Sequence, residues 1–96
     1  MFYVYVLKSK KDPSLFRNKR VREHYIGFTV DLRERIKKHS NGLVQSTKNL
    51  RPLVLIYYEA YRSKTDALIR EKQLKRFAKG FGSLRRRLKE SLMLEE

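Results

Sequence analysis

The chain has 96 residues, of which 41% are hydrophobic while four are glycine and two are proline, so its composition is that of one small globular domain rather than a disordered segment. Its formal net charge is +14, which makes nucleic acid the first partner to consider. The absence of cysteine excludes disulfide bonds and thiolate metal sites. No apolar run could span a bilayer and no signal peptide is evident, so we expect a cytoplasmic protein without a membrane partner.

Three segments in the first half of the chain have the patterns of regular secondary structure. Phe2 to Lys8 is almost wholly apolar and predicts a central strand that is covered on both faces. A basic loop separates it from a second predicted strand, His24 to Thr29. Asp31 begins a capping-box pattern, so we expect a helix from Leu32 to Ser40, ended by Asn41-Gly42.

The second half of the chain continues with one strand and one long helix. Leu53 to Tyr61 predicts the third strand. Ser63 has the position of a helix N-cap, and the helical pattern after it lasts to about Lys79. Gly80 and Gly82 are expected to stop that helix.

Ser83 could cap the last predicted helix, which places Leu84, Leu88 and Leu92 on one side. This stripe suits either core packing or docking onto a larger assembly, and we favour core packing. Residues 81–96 are therefore predicted to form a basic C-terminal helix that packs on, or extends from, a main domain of residues 1–80.

One carboxylate interrupts the apolar side of the second long helix. At 100° per residue, Glu71 lies within the stripe formed by Ala67 and Leu74. Burying an unpaired carboxylate costs several kcal/mol, so Glu71 needs a cation, a metal ion or a cleft wall beside it. From periodicity alone, a buried ion pair with Arg70 or Arg35 is the simpler interpretation.

The first helix has a similar anomaly. Arg35 and His39 lie one turn apart on its inward side, where a guanidinium and an imidazole could contact a phosphate together. The alternative is an arginine that reaches past the core to solvent beside a hydrogen-bonded histidine. The opposite, solvated face is formed by Arg33, Glu34, Lys37 and Lys38.

A glycine inside the second strand is also unusual. Gly27 weakens a strand unless another group must approach its backbone closely or a bulge is needed. It follows Tyr25 by two residues, so the two lie on the same face of the sheet. Six tyrosines lie on predicted strands, and most of them are expected to belong to the core.

These residues resemble the GIY-YIG nuclease family. Tyr3-Val4-Tyr5 and Tyr25-Ile26-Gly27 are similar to the two tripeptides that name the family, and Asp31-Leu32, Arg35, His39 and Glu71 follow in the family's order. Further residues resemble the small single-domain bacterial branch more closely than the nuclease half of the excinuclease C subunit: Thr47, Arg51-Pro52-Leu53, Tyr57-Tyr58-Glu59, Ala67 and Arg70. The resemblance covers most of residues 2–80.

The resemblance implies an α+β fold in which helices flank a three-stranded antiparallel sheet, in the order strand, strand, helix, strand, helix, helix. It implies a metal-dependent endonuclease that acts on nucleic acid, DNA more than RNA, in repair or recombination. Glu71 would hold one Mg²⁺ or Mn²⁺, and Arg35 would stabilise the transition state. The general base would be a motif tyrosine, Tyr5 or Tyr25, or else His39.

The sequence also departs from the family pattern. Tyr3 replaces the first glycine, the basic loop from Ser9 to Arg22 is longer than usual, and no asparagine lies between Ala78 and Leu84. Six residues are candidates for nucleic-acid contacts, although the loop could equally be only solvated: Arg17, Lys19, Arg20, Arg22, Lys38 and Lys75.

A bare domain of this size predicts low sequence specificity or a protein partner for targeting, and a monomer or weak dimer. The alternative function is a non-catalytic nucleic-acid-binding module on the same scaffold.

Overall fold

A computed structural model describes residues 1–12, 14, 24–76 and 80–93, without the side chains of residues 80, 81, 92 and 93. The predicted nucleic-acid contacts of the long loop lie outside the described residues: Arg17, Lys19, Arg20 and Arg22. Within the described part, no helix has the length and apolar character needed to cross a membrane.

The sheet has three antiparallel strands, as predicted. They are β1 (Phe2–Ser9), β2 (His24–Thr29) and β3 (Leu53–Tyr61), in the spatial order β2-β1-β3. The apolar first strand is therefore central, which agrees with its lack of polar alternation. The register against β3 shifts between Val6 and Leu7.

Helices occupy the connections and the end of the chain. They are α1 (Leu32–Ser40), α2 (Lys64–Lys75), α3 (Gly80–Arg87) and α4 (Lys89–Met93), with a 3₁₀ turn at Lys48–Leu50 before β3. Both predicted caps are confirmed: the Asp31 side chain accepts a hydrogen bond from the Glu34 amide at 3.1 Å, and Ser63 accepts one from Asp66 at 3.2 Å.

Two predicted boundaries are wrong. α2 ends at Lys75 rather than Lys79, because Arg76 leaves the helical backbone region with φ −78° and ψ 52°. α3 begins at Gly80 rather than after a cap at Ser83, so the glycines expected to stop a helix lie inside one. Burial of Leu84, which is 2% exposed, offsets the cost of about 1 kcal/mol per helical glycine.

The two faces of the sheet have different partners. On the core face, Val4 and Val6 pack with Ala67 and Leu74 of α2 and Leu84 of α3. Leu88 packs against this cluster, which favours the predicted core packing of the C-terminal stripe, whereas the side chain of Leu92 lies outside the description. The opposite face, here called the tyrosine face, carries Tyr3, Tyr5, Tyr25, Gly27 and Tyr58, and α1 covers part of it.

Candidate active site

Tyr5 lies at the centre of the tyrosine face and is fully buried. Its hydroxyl lies 2.8 Å from Nε2 of His39 and accepts a hydrogen bond from Nε of Arg35 at 3.3 Å. The hydroxyl oxygen of Tyr5 therefore contacts both inward-facing polar residues of α1. Burial raises the pKa of Tyr5, and the hydrogen bond from Arg35 opposes that effect only in part. Tyr5 is consequently protonated at neutral pH.

His39 is 1% exposed and uses both ring nitrogens. Its Nδ1 lies 2.7 Å from Oγ1 of Thr47, which is itself fully buried. Because the guanidinium of Arg35 can only donate, we assign the Tyr5 proton to a hydrogen bond toward Nε2 of His39, and the ring proton of His39 to Nδ1, where it is donated to Thr47. Burial, followed by the positive charge of Arg35, lowers the pKa of His39 to about 4. The imidazole is therefore neutral at pH 7, as this assignment requires.

Arg35 is held between two phenols. Its hydrogen bond to Tyr5 is the main cause that raises its pKa, and Tyr25 contributes in the same direction. The Tyr25 ring meets the His39 ring edge-on, with centroids 5.1 Å apart, and lies 6.3 Å from the Tyr5 ring. Tyr25 is only partly buried, so of the two motif tyrosines it is the one that solvent reaches.

Gly27 makes this arrangement sterically possible. It lies directly opposite Tyr5 in the β1–β2 register. A Cβ atom at position 27 would overlap the ring and hydroxyl of Tyr5. The strand glycine thus has the close approach that its position predicts, and its neighbour Ile26 packs against the core on the other face.

Glu71 lies on α2, and its charge contributes to the raised pKa of Tyr5. Its side chain is 18% exposed and pairs with Nζ of Lys75 at 3.4 Å. The expected ion pair with Arg70 or Arg35 is wrong. Arg70 instead binds the carboxylate of Glu59 at 2.8 and 3.0 Å, on the core face.

The donor set near Glu71 suits one kind of metal site. No group of three histidine or acidic side chains that could hold a metal ion occurs among the described residues. Mg²⁺, however, is commonly bound by one or two carboxylates, with water and substrate phosphates as the other ligands. A partly exposed carboxylate whose ion-pair partner, Lys75, is 53% exposed fits such a site.

The two remaining candidates for nucleic-acid contacts lie in different places. Lys75 pairs with Glu71 on α2 at 3.4 Å. Lys38 pairs with Glu34 at 3.4 Å on the solvated face of α1, away from His39. The other residues predicted for that face, Arg33 and Lys37, are exposed as well.

Thr47 is the residue whose role sequence reasoning missed. It was part of the segment that resembles the bacterial branch, but nothing in the pattern predicted a contact with His39. It lies in the turn before the 3₁₀ helix, where no periodicity indicates which side chains point inward. A buried histidine with a second ring nitrogen to satisfy is the only signal that could have suggested a nearby hydroxyl.

Comparisons with known proteins agree with this geometry. The family model described as the GIY-YIG catalytic domain matches residues 1–80. The chain is 38% identical over 78 residues to a UPF0213 protein of Staphylococcus saprophyticus, which covers 80% of this chain and 83% of that protein. It is also 38% identical over 80 residues to a UPF0213 protein of Clostridium perfringens, covering 82% and 75% respectively. The chain therefore belongs to the GIY-YIG family of nucleases.

Proposed function

We propose that the chain is a metal-dependent endonuclease that hydrolyses phosphodiester bonds, in DNA rather than RNA, with low intrinsic sequence specificity and a role in repair or recombination. The observation that carries the proposal is the meeting of Tyr5, Tyr25, Arg35 and His39, with the charge of Glu71 acting on Tyr5 from α2. The net charge of +14 supports a polyanionic substrate.

Burial assigns different roles to the two tyrosines. The Tyr5 hydroxyl is fully buried and bonded to both Arg35 and His39, so it is closed to solvent water. Tyr25 is partly exposed and lies against the same guanidinium. We therefore assign to Tyr25, in its deprotonated phenolate form, the acceptance of the proton from the attacking water. His39, buried and bonded through both nitrogens, is a positioning residue rather than the base.

Arg35 is proposed to contact the scissile phosphate. Tyr5 and Tyr25 fix one side of its guanidinium, and its remaining N–H groups can donate to phosphate oxygens as charge develops in the transition state. Glu71 would hold the Mg²⁺ or Mn²⁺ ion. When bound, that ion would supply polarisation of the phosphate and stabilisation of the departing 3′ oxygen.

Cleavage assays with matched variants test this function. Supercoiled plasmid and labelled single-stranded, flap and branched DNA are incubated with Mg²⁺, Mn²⁺ or EDTA and with the natural chain, Glu71→Gln or Arg35→Ala. We expect metal-dependent cleavage that falls about 10³-fold in both variants. Glu34→Gln is the matched control, because Glu34 is also a helical glutamate paired with a lysine four residues on, yet it lies on the solvated face. It should cleave normally.

Two results would contradict the proposal. Binding of DNA without cleavage by any of these proteins would identify a non-catalytic binding module. Equal cleavage by the natural chain and by Glu71→Gln and Arg35→Ala, all purified in the same way, would identify a contaminating nuclease.

A further inference from the structure

A groove beside the candidate active site has no part in the chemistry proposed above. It has a volume of about 320 Å³ and is lined by Tyr3, Val30, Asp31, Leu32, Arg33 and Tyr58. Tyr58 is directly opposite Tyr5 in the β1–β3 register, and Tyr3 is two residues before Tyr5 on the same strand. The groove therefore lies on the tyrosine face, one residue pair away from the centre of the site.

One of the two aromatic side chains of this groove is largely exposed. Tyr58 is 52% exposed, and its ring meets the edge of the Tyr3 ring with centroids 6.1 Å apart. Val30 beside them is 63% exposed. Adjoining exposed apolar side chains of this size indicate a binding surface more often than isolated ones do.

The charges of the groove favour a nucleobase over a phosphate as its ligand. Asp31 and Arg33 have opposite formal charges, so the groove is neutral within a chain of net charge +14. A phosphate would meet the carboxylate of Asp31 unfavourably. A nucleobase instead offers a ring face for Tyr58 and polar edge groups for the two charged side chains.

We propose that this groove is a stacking subsite for one unpaired nucleobase next to the phosphate that is cleaved. The inference rests on the proposed function, because it takes Arg35 and Glu71 as the place of cleavage. Inside a duplex both faces of each base are covered by its neighbours, so away from duplex ends a base can stack on Tyr58 only where the strand is unpaired. The subsite thus favours substrates that are single-stranded beside the cut.

Binding measured without metal tests the subsite separately from catalysis. Fluorescence anisotropy in EDTA at one fixed salt concentration gives the Kd of labelled dT10, of an abasic strand of equal length, and of a blunt duplex. Tyr58→Ala should weaken dT10 binding about tenfold and leave the other two ligands within twofold. Tyr58→Phe, which keeps the ring, should bind like the natural chain. Ile69→Ala, at a residue 51% exposed on α2, is the matched control and should change nothing.

A second measurement needs no variant. In NMR spectra of the natural chain, the ring protons of Tyr3 and Tyr58 should shift upfield when dT10 is added and stay unchanged with the abasic strand. Unchanged dT10 binding by Tyr58→Ala, equal losses for dT10 and the abasic strand, or absent ring shifts would each overturn the subsite. Absence of cleavage together with normal dT10 discrimination would overturn the nuclease proposal and leave the stacking groove in place.

Discussion

Val4 and Val6 on the core face of β1 are at most 1% exposed, and so are Tyr5 and Leu7 on the tyrosine face. The means of burial differ. The core face is covered by apolar side chains of α2 and α3, whereas Tyr5 is covered by Arg35 and His39, which bind its hydroxyl. Residues that are equally buried on the two sides of one strand therefore have different environments, one apolar and one hydrogen-bonded.

This difference separates stability from chemistry. Apolar burial is non-directional and contributes roughly in proportion to the area removed from water. A buried hydroxyl or imidazole instead costs about 1 to 3 kcal/mol when its hydrogen-bond partner is missing, so the partners must be present and correctly placed. We expect substitutions on the core face to act on the free energy of unfolding, and those on the tyrosine face to act mainly on cleavage and its pH dependence.

The largest expected effect comes from removing apolar volume on the core face. Leu84→Ala should lower the free energy of unfolding by about 2 to 5 kcal/mol, because Leu84 is 2% exposed in the core cluster. Leu43→Ala makes the same change at a residue 70% exposed and should stay within about 0.5 kcal/mol. Urea unfolding measures both. If the folded fraction of Leu84→Ala cleaved DNA far more slowly than the natural chain, the assignment of stability to the core face and of cleavage to the tyrosine face would be wrong.

Local patterns predicted much of this arrangement. Helical phase alone brought His39 inward on α1 and Glu71 into the apolar stripe of α2, and the caps fixed where both helices begin. Contacts between distant segments were not predictable in this way. Glu59 meets Arg70 only because β3 pairs with β1 beneath α2, and Thr47 meets His39 through a turn without periodicity. Such pairs depend on strand register and loop conformation, which no helical or strand period encodes.

The tyrosine face should give the protein a measurable loss of stability on acidification. The pKa of His39 is lowered from 6.5 to about 4. Below pH 6.5 the unfolded chain therefore binds a proton at His39 that the folded chain does not bind, and the free energy of unfolding falls as pH falls. By linkage, this contribution reaches about 2 kcal/mol at pH 5. Urea unfolding between pH 7.5 and pH 5 measures it, in a range where carboxylates of ordinary pKa stay mostly ionised.

His39→Gln supplies the comparison for that pH dependence. The variant loses the hydrogen bonds of the ring and should be less stable at pH 7.5, but its stability should decline less toward pH 5. The comparison therefore uses the change in the free energy of unfolding between pH 7.5 and pH 5 in each protein, rather than its value at one pH. Parallel declines in the two proteins would show that His39 is not the group responsible.

The smallest expected effect concerns a polar cluster on the core face. This cluster is the exception to the apolar character of that face. Burial of the Glu59 carboxylate disfavours its charge, but hydrogen bonds from Arg70, Tyr57 and Tyr61 outweigh that cost and lower the pKa of Glu59. Its stabilising contribution is thus present above pH 4.5 and is lost as the pH falls through the folded value.

Glu59→Gln should accordingly lower the free energy of unfolding by about 1 kcal/mol at pH 7, because an amide cannot accept both hydrogen bonds of the guanidinium and Arg70 is partly exposed. The difference from the natural chain should shrink at pH 3, and urea unfolding at the two pH values measures it. Cleavage per folded molecule should be unchanged, since Glu59 lies opposite Val4 and faces away from Tyr5. A folded Glu59→Gln protein that no longer cleaved DNA would contradict this expectation. It would mean that the polar network of the core face positions α2, and with it Glu71. Catalysis as well as stability would then depend on both faces of the sheet.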